Sequence, residues 1–247
     1  MSASLPAALP TALEIAALHD RLLVDAAWPQ TFSQDGDDDG VWPWVLSNHR
    51  HNSLLWAEED LARRRQVADA EIAANKRAID GHNQARNDAT ERIDELLLIA
   101  LGWVDADSAR SDSPLSRVPP CARLNSETAG SIVDRMSIMA LKVHAMRRQT
   151  LRRDVDAEHL ASSQVKLLRL QRQRDDLGQC LDELLAEARA GRAYFKIYRQ
   201  FKMYNDPRFN PAMVAERRAA AEADCAGAAG DAGDAGDTQR TDMSPKG

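Results

Sequence analysis

Along residues 156–190 the apolar positions recur at helical spacing: Leu167, Leu181 and Ala188 fall on one seven-residue series with Arg174 among them, and Leu170, Leu177 and Leu184 fall on another. Proline bounds two such blocks. None occurs between Trp44 and Ser113 or between Cys121 and Asp206, and proline is strongly disfavoured inside helices. Both blocks are rich in Ala, Leu, Arg, Glu and Gln and lack sustained period-two alternation, so the predicted fold class is all-α. A single helix from 44 to 101 would be roughly 85 Å long at 1.5 Å per residue, too long for this domain. Each block is therefore expected to fold back, the first near Arg65–Asp69 and the second near Arg153–Asp156. The prediction is an elongated four-helix bundle of two hairpins, with coiled-coil-like packing and helices near 44–64, 69–101, 128–151 and 156–190. A leading helix near 11–26 and a short aromatic and basic helix near 192–204 would cover it.

The two hairpins read as a pseudo-repeat. A shift of 88 positions places Ile79 on Leu167, Arg86 on Arg174, Asp88 on Asp176 and the DELL of 94–97 on the DELL of 182–185. Two helices of similar composition could match this way by chance; duplication would pack the hairpins about a pseudo-twofold axis. Arg174 on an apolar seam requires a paired anion, because an unpaired buried charge is very costly. Its repeat-mate Arg86 has the same requirement, and Asp94, Asp134 and Glu59 are the candidate acids.

Polar stripes mark the candidate site. On the first bundle helix His49, Asn52, Ser53, Trp56, Glu59, Asp60 and Arg63 follow at three- and four-residue steps. Such a stripe is ordinarily a solvated face with Glu59 paired to Arg63, but Trp56 in its middle points to the edge of a pocket. The next helix carries Asn83, Arg86, Asn87, Thr90 and Asp94 on a face shared with Ile79, Ile93 and Leu97, a pattern for an inward polar network or a ligand contact. The third helix opens with Asn125, Ser126, Glu127, Thr128 and Gly130, a helix-start cluster in which Gly130 permits close approach. Ser131, Asp134 and Lys142 follow on one face of it as further ligand candidates. The C-terminal piece adds Tyr198, Arg199 and Lys202, where interleaved cations and aromatics either hold a phosphate ester or plug the bundle.

Composition sharpens the class. At 247 residues, 44% hydrophobic, the chain can bury a core, and no run of about 18 apolar residues would span a membrane. The N-terminus lacks the basic start and apolar stretch of a secretory signal, which predicts a cytoplasmic protein. Three cysteines without CxxC spacing predict free thiols and no zinc framework. The net charge of −6 comes largely from the QDGDDDG loop and the acidic tail, leaving the body near neutral and arguing against nucleic acid as partner. Residues 1–10 are expected to be flexible, 11–211 to form the helical domain, and 212–247, rich in Gly, Ala and Asp, to be disordered.

HRHNSLLWAEEDLARR (49–64), HNQARNDATERID (82–94), NSETAGSIVDRMSIMALKVHAM (125–146), QRQRDDLGQCLDELL (171–185) and YRQFKMYNDPRFNP (198–211) resemble the bacterial domain of unknown function family 4254 across residues 11–211. The resemblance implies no activity. Members encoded beside sugar-transfer and cell-envelope glycan genes imply a sugar-phosphate or nucleotide-sugar setting. Ala57 stands where the family pattern often has a second histidine, which argues against a histidine-dependent reaction there.

Two functions compete. The first is non-catalytic recognition of a partner protein or an anionic metabolite through Trp56, Arg86, Arg174 and the C-terminal segment, needing no cofactor; homo-oligomerisation is left open. The second is a Mg²⁺-dependent enzyme, since Glu58, Glu59, Glu91 and Asp94 resemble the paired carboxylates of MazG-like all-α nucleoside triphosphate pyrophosphohydrolases. Position 62 is alanine where that motif has its next glutamate.

Overall fold

Thr11 starts the first helix with a reciprocal cap: its hydroxyl accepts from the Glu14 amide, and the Glu14 carboxylate accepts from the Thr11 amide at 2.8 Å. The helix that follows, α1, is Ala12–Leu23. Pro43 in the first turn opens α2, Trp42–Leu61, where its missing N–H leaves no intrahelical bond unmade. Asp69 and Glu71 complement the positive end of α3, Asp69–Ala100. After the single turn α4, Ala106–Ala109, the Thr128 hydroxyl caps α5, Ala129–Thr150, and the Asp156 carboxylate caps α6, Ala157–Arg189. Leu101 and Ala190 close the two long helices, and Gly102 and Gly191 follow in the left-handed region that glycine enters without strain.

The computed structural model describes residues 9–30, 40–200, 203 and 206–231, which fall in two compact units, Met1–Arg199 and Gln200–Gly247. The fold is an all-α bundle in which α2 packs on α3 and α5 on α6. The four long helices begin and end within three residues of the predicted limits. Shifted by 88 positions, α3 falls on 157–188 against α6 at Ala157–Arg189, and α2 falls on 130–149 against α5 at Ala129–Thr150. The helix limits therefore repeat at the same 88-residue spacing as the sequence pattern.

Their packing departs from a symmetric four-helix bundle. Helix α5 is central, touching α1, α2, α3 and α6, whereas no packing of α2 on α6 occurs among the described residues. The place that symmetry would give α2 against α6 is taken by α1. Its entry is marked by parallel bonds: Asp94 of α3 accepts from the Gly130 amide at the start of α5, and its repeat-mate Asp182 of α6 accepts from the Ala12 amide at the start of α1. The leading helix is a bundle member as well as a cover.

Two segments differ from expectation. Residues 192–200 are not helical: β2, Ala193–Tyr194, pairs in parallel with β1, Arg123–Leu124, and buries Phe195 and Ile197 in the core. In the second unit residues 211–231 form α7 where composition predicted disorder; Asn210 caps its first turn and Pro211 begins it. The remainder of the expected tail, 232–247, the start at 1–8 and most of the acidic loop lie outside the described residues.

Gly130 allows the close α3–α5 contact. A Cβ there would collide with the Thr90 carbonyl oxygen and lie 3.0 Å from the Asp94 carboxyl group. Gly130→Ala is expected to cost about 1–2 kcal/mol, the lower range for overpacking, and to lower the urea midpoint. Gly81 on α3 has open space around it, so Gly81→Ala should raise the midpoint instead, by up to about 1 kcal/mol.

Candidate functional site

The buried side of α2 is polar. Ser47, Asn48, His49, Asn52 and Ser53 are all buried, with Val45 and Leu55 at either end. Buried polar groups persist only when hydrogen-bonded, and these converge on α5. The Nδ2 groups of Asn48 and Asn52 each donate to Asp134 Oδ1 at 2.9 Å, and Asn48 also reaches Thr90 Oγ1 at 3.1 Å. His49 Nδ1 meets Ser137 Oγ at 2.8 Å. These two residues are 88 positions apart, as expected where a pseudo-twofold axis brings repeat-mates together.

Beside this network lies an aromatic stack. His49 stacks on His19 of α1 with ring centroids 4.2 Å apart and on Trp28 at 5.4 Å, while Trp28 Nε1 donates to Ser53 Oγ at 3.0 Å. Burial holds His49 down to about 3 and His19 well below the usual histidine value, with the adjoining His49 ring and the Arg174 cation further opposing a charge on His19. Both imidazoles are neutral. Both nitrogens of His19 and Nε2 of His49 are buried without a hydrogen bond.

The two seam arginines point inward to acids. Arg86 Nε lies 3.8 Å from Asp134 Oδ1, and Arg174 Nη1 lies 2.7 Å from Asp20 Oδ1. Asp134 was among the candidate acids, but Asp20 of α1 was not. Neither Asp94 nor Glu59 serves this purpose. Burial raises the Asp94 carboxyl to about 7, against the opposing bonds from Thr128 and Gly130, and the group closes the start of α5. Glu59 pairs instead with Arg63 at 2.9 Å, the exposed i,i+4 pair read from the sequence.

Between α2, α3 and α5 opens a cavity of about 320 Å³. It brings together seven residues of the predicted polar stripes, Asn52, Trp56, Glu59, Asp60, Arg63, Asn83 and Arg86, with apolar Leu55, Ile138 and Leu141 on its walls. Other candidates lie elsewhere. His49 is in the core beside the cavity, and Asn87 is buried and accepts from Arg86 Nη2 at 3.3 Å. Ser131 belongs to the Thr128 cap, and Lys142 lines a separate groove with Arg135, Gln173 and Asp176. Tyr198 is half exposed; Arg199 binds Glu91 and Glu95; Lys202 lies outside the described residues.

The four carboxylates of the metal reading do not share a point. Glu58 accepts from Asn75, Glu59 pairs with Arg63, Glu91 with Arg199, and Asp94 holds the Gly130 amide. Among the described residues no three His, Cys, Asp or Glu side chains converge as a metal site. No helix there is long and apolar enough to cross a membrane. Asn48, Ser137, Asp20, His19 and Trp28 were missed. A signal existed for two of them: Asn48 precedes Asn52 by one turn, and His19 continues the Ala12, Ile15 spacing of the buried face of α1.

Searches of curated proteins and of solved structures find no match to this chain. A family model described as Protein of unknown function (DUF4254) matches residues 42–197, a narrower span than the 11–211 of the sequence resemblance, starting at α2 and ending just beyond β2. The match takes in more than half the chain, with both hairpins and the whole cavity between α2, α3 and α5, and the chain belongs to the DUF4254 family.

Proposed function

We propose that this protein binds a small anionic metabolite of the sugar-phosphate or nucleotide type in the cavity between α2, α3 and α5, without catalysing a reaction on it. The observation that carries the reading is Arg86, whose Nε is buried without a hydrogen bond and stands 3.8 Å from its nearest acid in a cavity that also holds Trp56. An arginine with unspent donors suits a phosphate, and an indole face suits the apolar side of a sugar or base. Asn52, Asn83 and Glu59 supply donors and acceptors for hydroxyl groups. The volume is at the small end of the range of roughly 300–1,000 Å³ in which small-molecule sites fall. Cell-envelope glycan metabolism in the cytoplasm is the setting proposed for it, from the gene neighbourhoods of the family.

Thermal unfolding of the purified chain with a panel of sugar phosphates, nucleoside diphosphates and nucleotide-sugars, without divalent metal, tests this. A ligand that binds only the folded state adds about 2.7 kcal/mol at a hundredfold excess over its Kd. A phosphorylated compound is expected to raise the melting temperature saturably, and both Arg86→Met and Trp56→Leu should abolish the shift. If no compound shifts the transition, or both variants respond like the parent, the reading fails.

A further inference from the structure

His51 on α2 and His82 on α3 face one another across the hairpin, away from the cavity's lining, with Nδ1 atoms hydrogen-bonded at 3.3 Å, one ring donating and the other accepting, and rings inclined at 40°. The helices run antiparallel here, since Glu58 meets Asn75 farther along the same face. Two imidazole nitrogens bound to one tetrahedral ion at about 2.0–2.1 Å stand about 3.3–3.4 Å apart, because the tetrahedral angle fixes the third side of the triangle. An octahedral right angle at the same bond length would bring them to about 2.9 Å. The observed separation fits the tetrahedral bite, and imidazole donors select zinc-class transition metals over Mg²⁺ or Ca²⁺.

We propose that His51 and His82 chelate one Zn²⁺-class ion through their Nδ1 atoms. Among the described residues no third His, Cys, Asp or Glu donor joins them, so water or donor atoms of a bound molecule complete the tetrahedron. Both rings are partly exposed, so an ion can enter. In the hydrogen-bonded pair one Nδ1 carries the proton; on chelation that ring takes the Nε2–H tautomer, which frees both Nδ1 lone pairs, and Asp88 and Glu58 partly offset the repulsion of Arg50 for a cation. The site is independent of the cavity reading above.

Calorimetric titration of the untagged full chain with ZnCl₂ at pH 7.5, and with Co²⁺ as a spectroscopic probe, decides the matter. The expected result is one ion per chain, intense visible Co²⁺ bands of tetrahedral type, and at least a roughly tenfold loss of affinity in both His51→Ala and His82→Ala, tenfold being the smaller effect of even outer-shell changes. His144→Ala should bind like the parent. Circular dichroism of the two half-exposed variants separates lost ligation from lost folding. Absence of binding at millimolar metal, binding that survives both substitutions in folded protein, or dependence on His144 would overturn the proposal.

Discussion

Arg199→Met is expected to destabilise the helical unit by about 3 kcal/mol, the lower end for breaking a buried ion pair. Its guanidinium donates to Glu91 at 2.9 Å, to Glu95 at 2.6 Å and to the Ala109 carbonyl at 2.5 Å. The side chain is 17% exposed and Glu95 only 7%. Removing the cation leaves Glu91 without this partner and leaves Glu95 with Arg92 alone among the ion pairs of this cluster, at 2.5 Å. It also unties residue 199 from the α4 turn. For a unit of this size the loss corresponds to a fall of roughly 6–12 °C in Tm. Arg199→Lys should recover only part of it, because one ammonium cannot reproduce a planar fork aimed at several acceptors. Thermal and urea unfolding of the two variants measure this; equal stability of parent and Arg199→Met would show that the cluster contributes nothing.

That expectation differs from the sequence reading, in which Tyr198 and Arg199 lay on a helix that either held a phosphate ester or plugged the bundle. The interleaved pattern of GRAYFKIYRQ fits a helix, a docking segment or an extended strap equally well, because spacing alone does not reveal what lies opposite. Gly191 decides the matter locally, since its positive φ ends α6 and turns the chain into a two-residue bridge with Arg123–Leu124. A bridge that short leaves no periodic trace. The helix α7 was missed for a different reason: the Gly and Asp of the tail suggested disorder, while the run AERRAAAEA carries strong intrinsic helix propensity.

The long helices were legible because their ends carry local chemistry: Pro43, Asp69, Thr128 and Asp156 each occupy a position set by the unpaired amides of a helix start. The 88-residue register was legible for the same reason, being written in paired arginines and aspartates. What could not be read was which helix would answer each charge. A symmetric bundle would have placed α2 against α6, where the α2 position matching Asp134 is Leu46, so that arrangement would have offered Arg174 no equivalent acid. Instead α1 occupies that position and supplies Asp20, so the acid search failed for Arg174 and succeeded for Arg86. The insertion of α1 also brings His19 onto His49. Half of the candidate stripe on α2 thus became core, and the other half, from Trp56 to Arg63, became the cavity wall.

Acidification should reveal that buried half. In the unfolded chain a histidine titrates near 6.5, whereas in the fold His49 is held to about 3 and His19 well below its usual value. Between these limits the unfolded chain binds protons that the fold refuses, so the stability from this pair is complete above about pH 6.5 and is lost as the pH falls. A fully suppressed group contributes up to about 1.4 kcal/mol per pH unit, which for His49 is roughly 1.5–2 kcal/mol between pH 6.5 and 5, and His19 acts in the same direction. Asp94 opposes them. Its carboxyl is raised from 3.8 to about 7, so the folded state keeps a proton that the unfolded chain has released, and stability rises as the pH falls through that interval. His49 and Asp94 nearly cancel over this interval, so His19 sets the sign, and the net expectation is a loss of stability between pH 6.5 and 5, measured as a falling urea midpoint. His19→Phe keeps a ring stacked on His49 but removes one titration, and should make the profile nearly flat. Asp94→Asn keeps an acceptor for the Gly130 amide while removing the opposing group, and should steepen it. A parent profile flat between pH 7 and 5, or one that neither substitution alters, would mean that the stacked histidines take up protons in the folded state, so that the stack does not bury neutral imidazole.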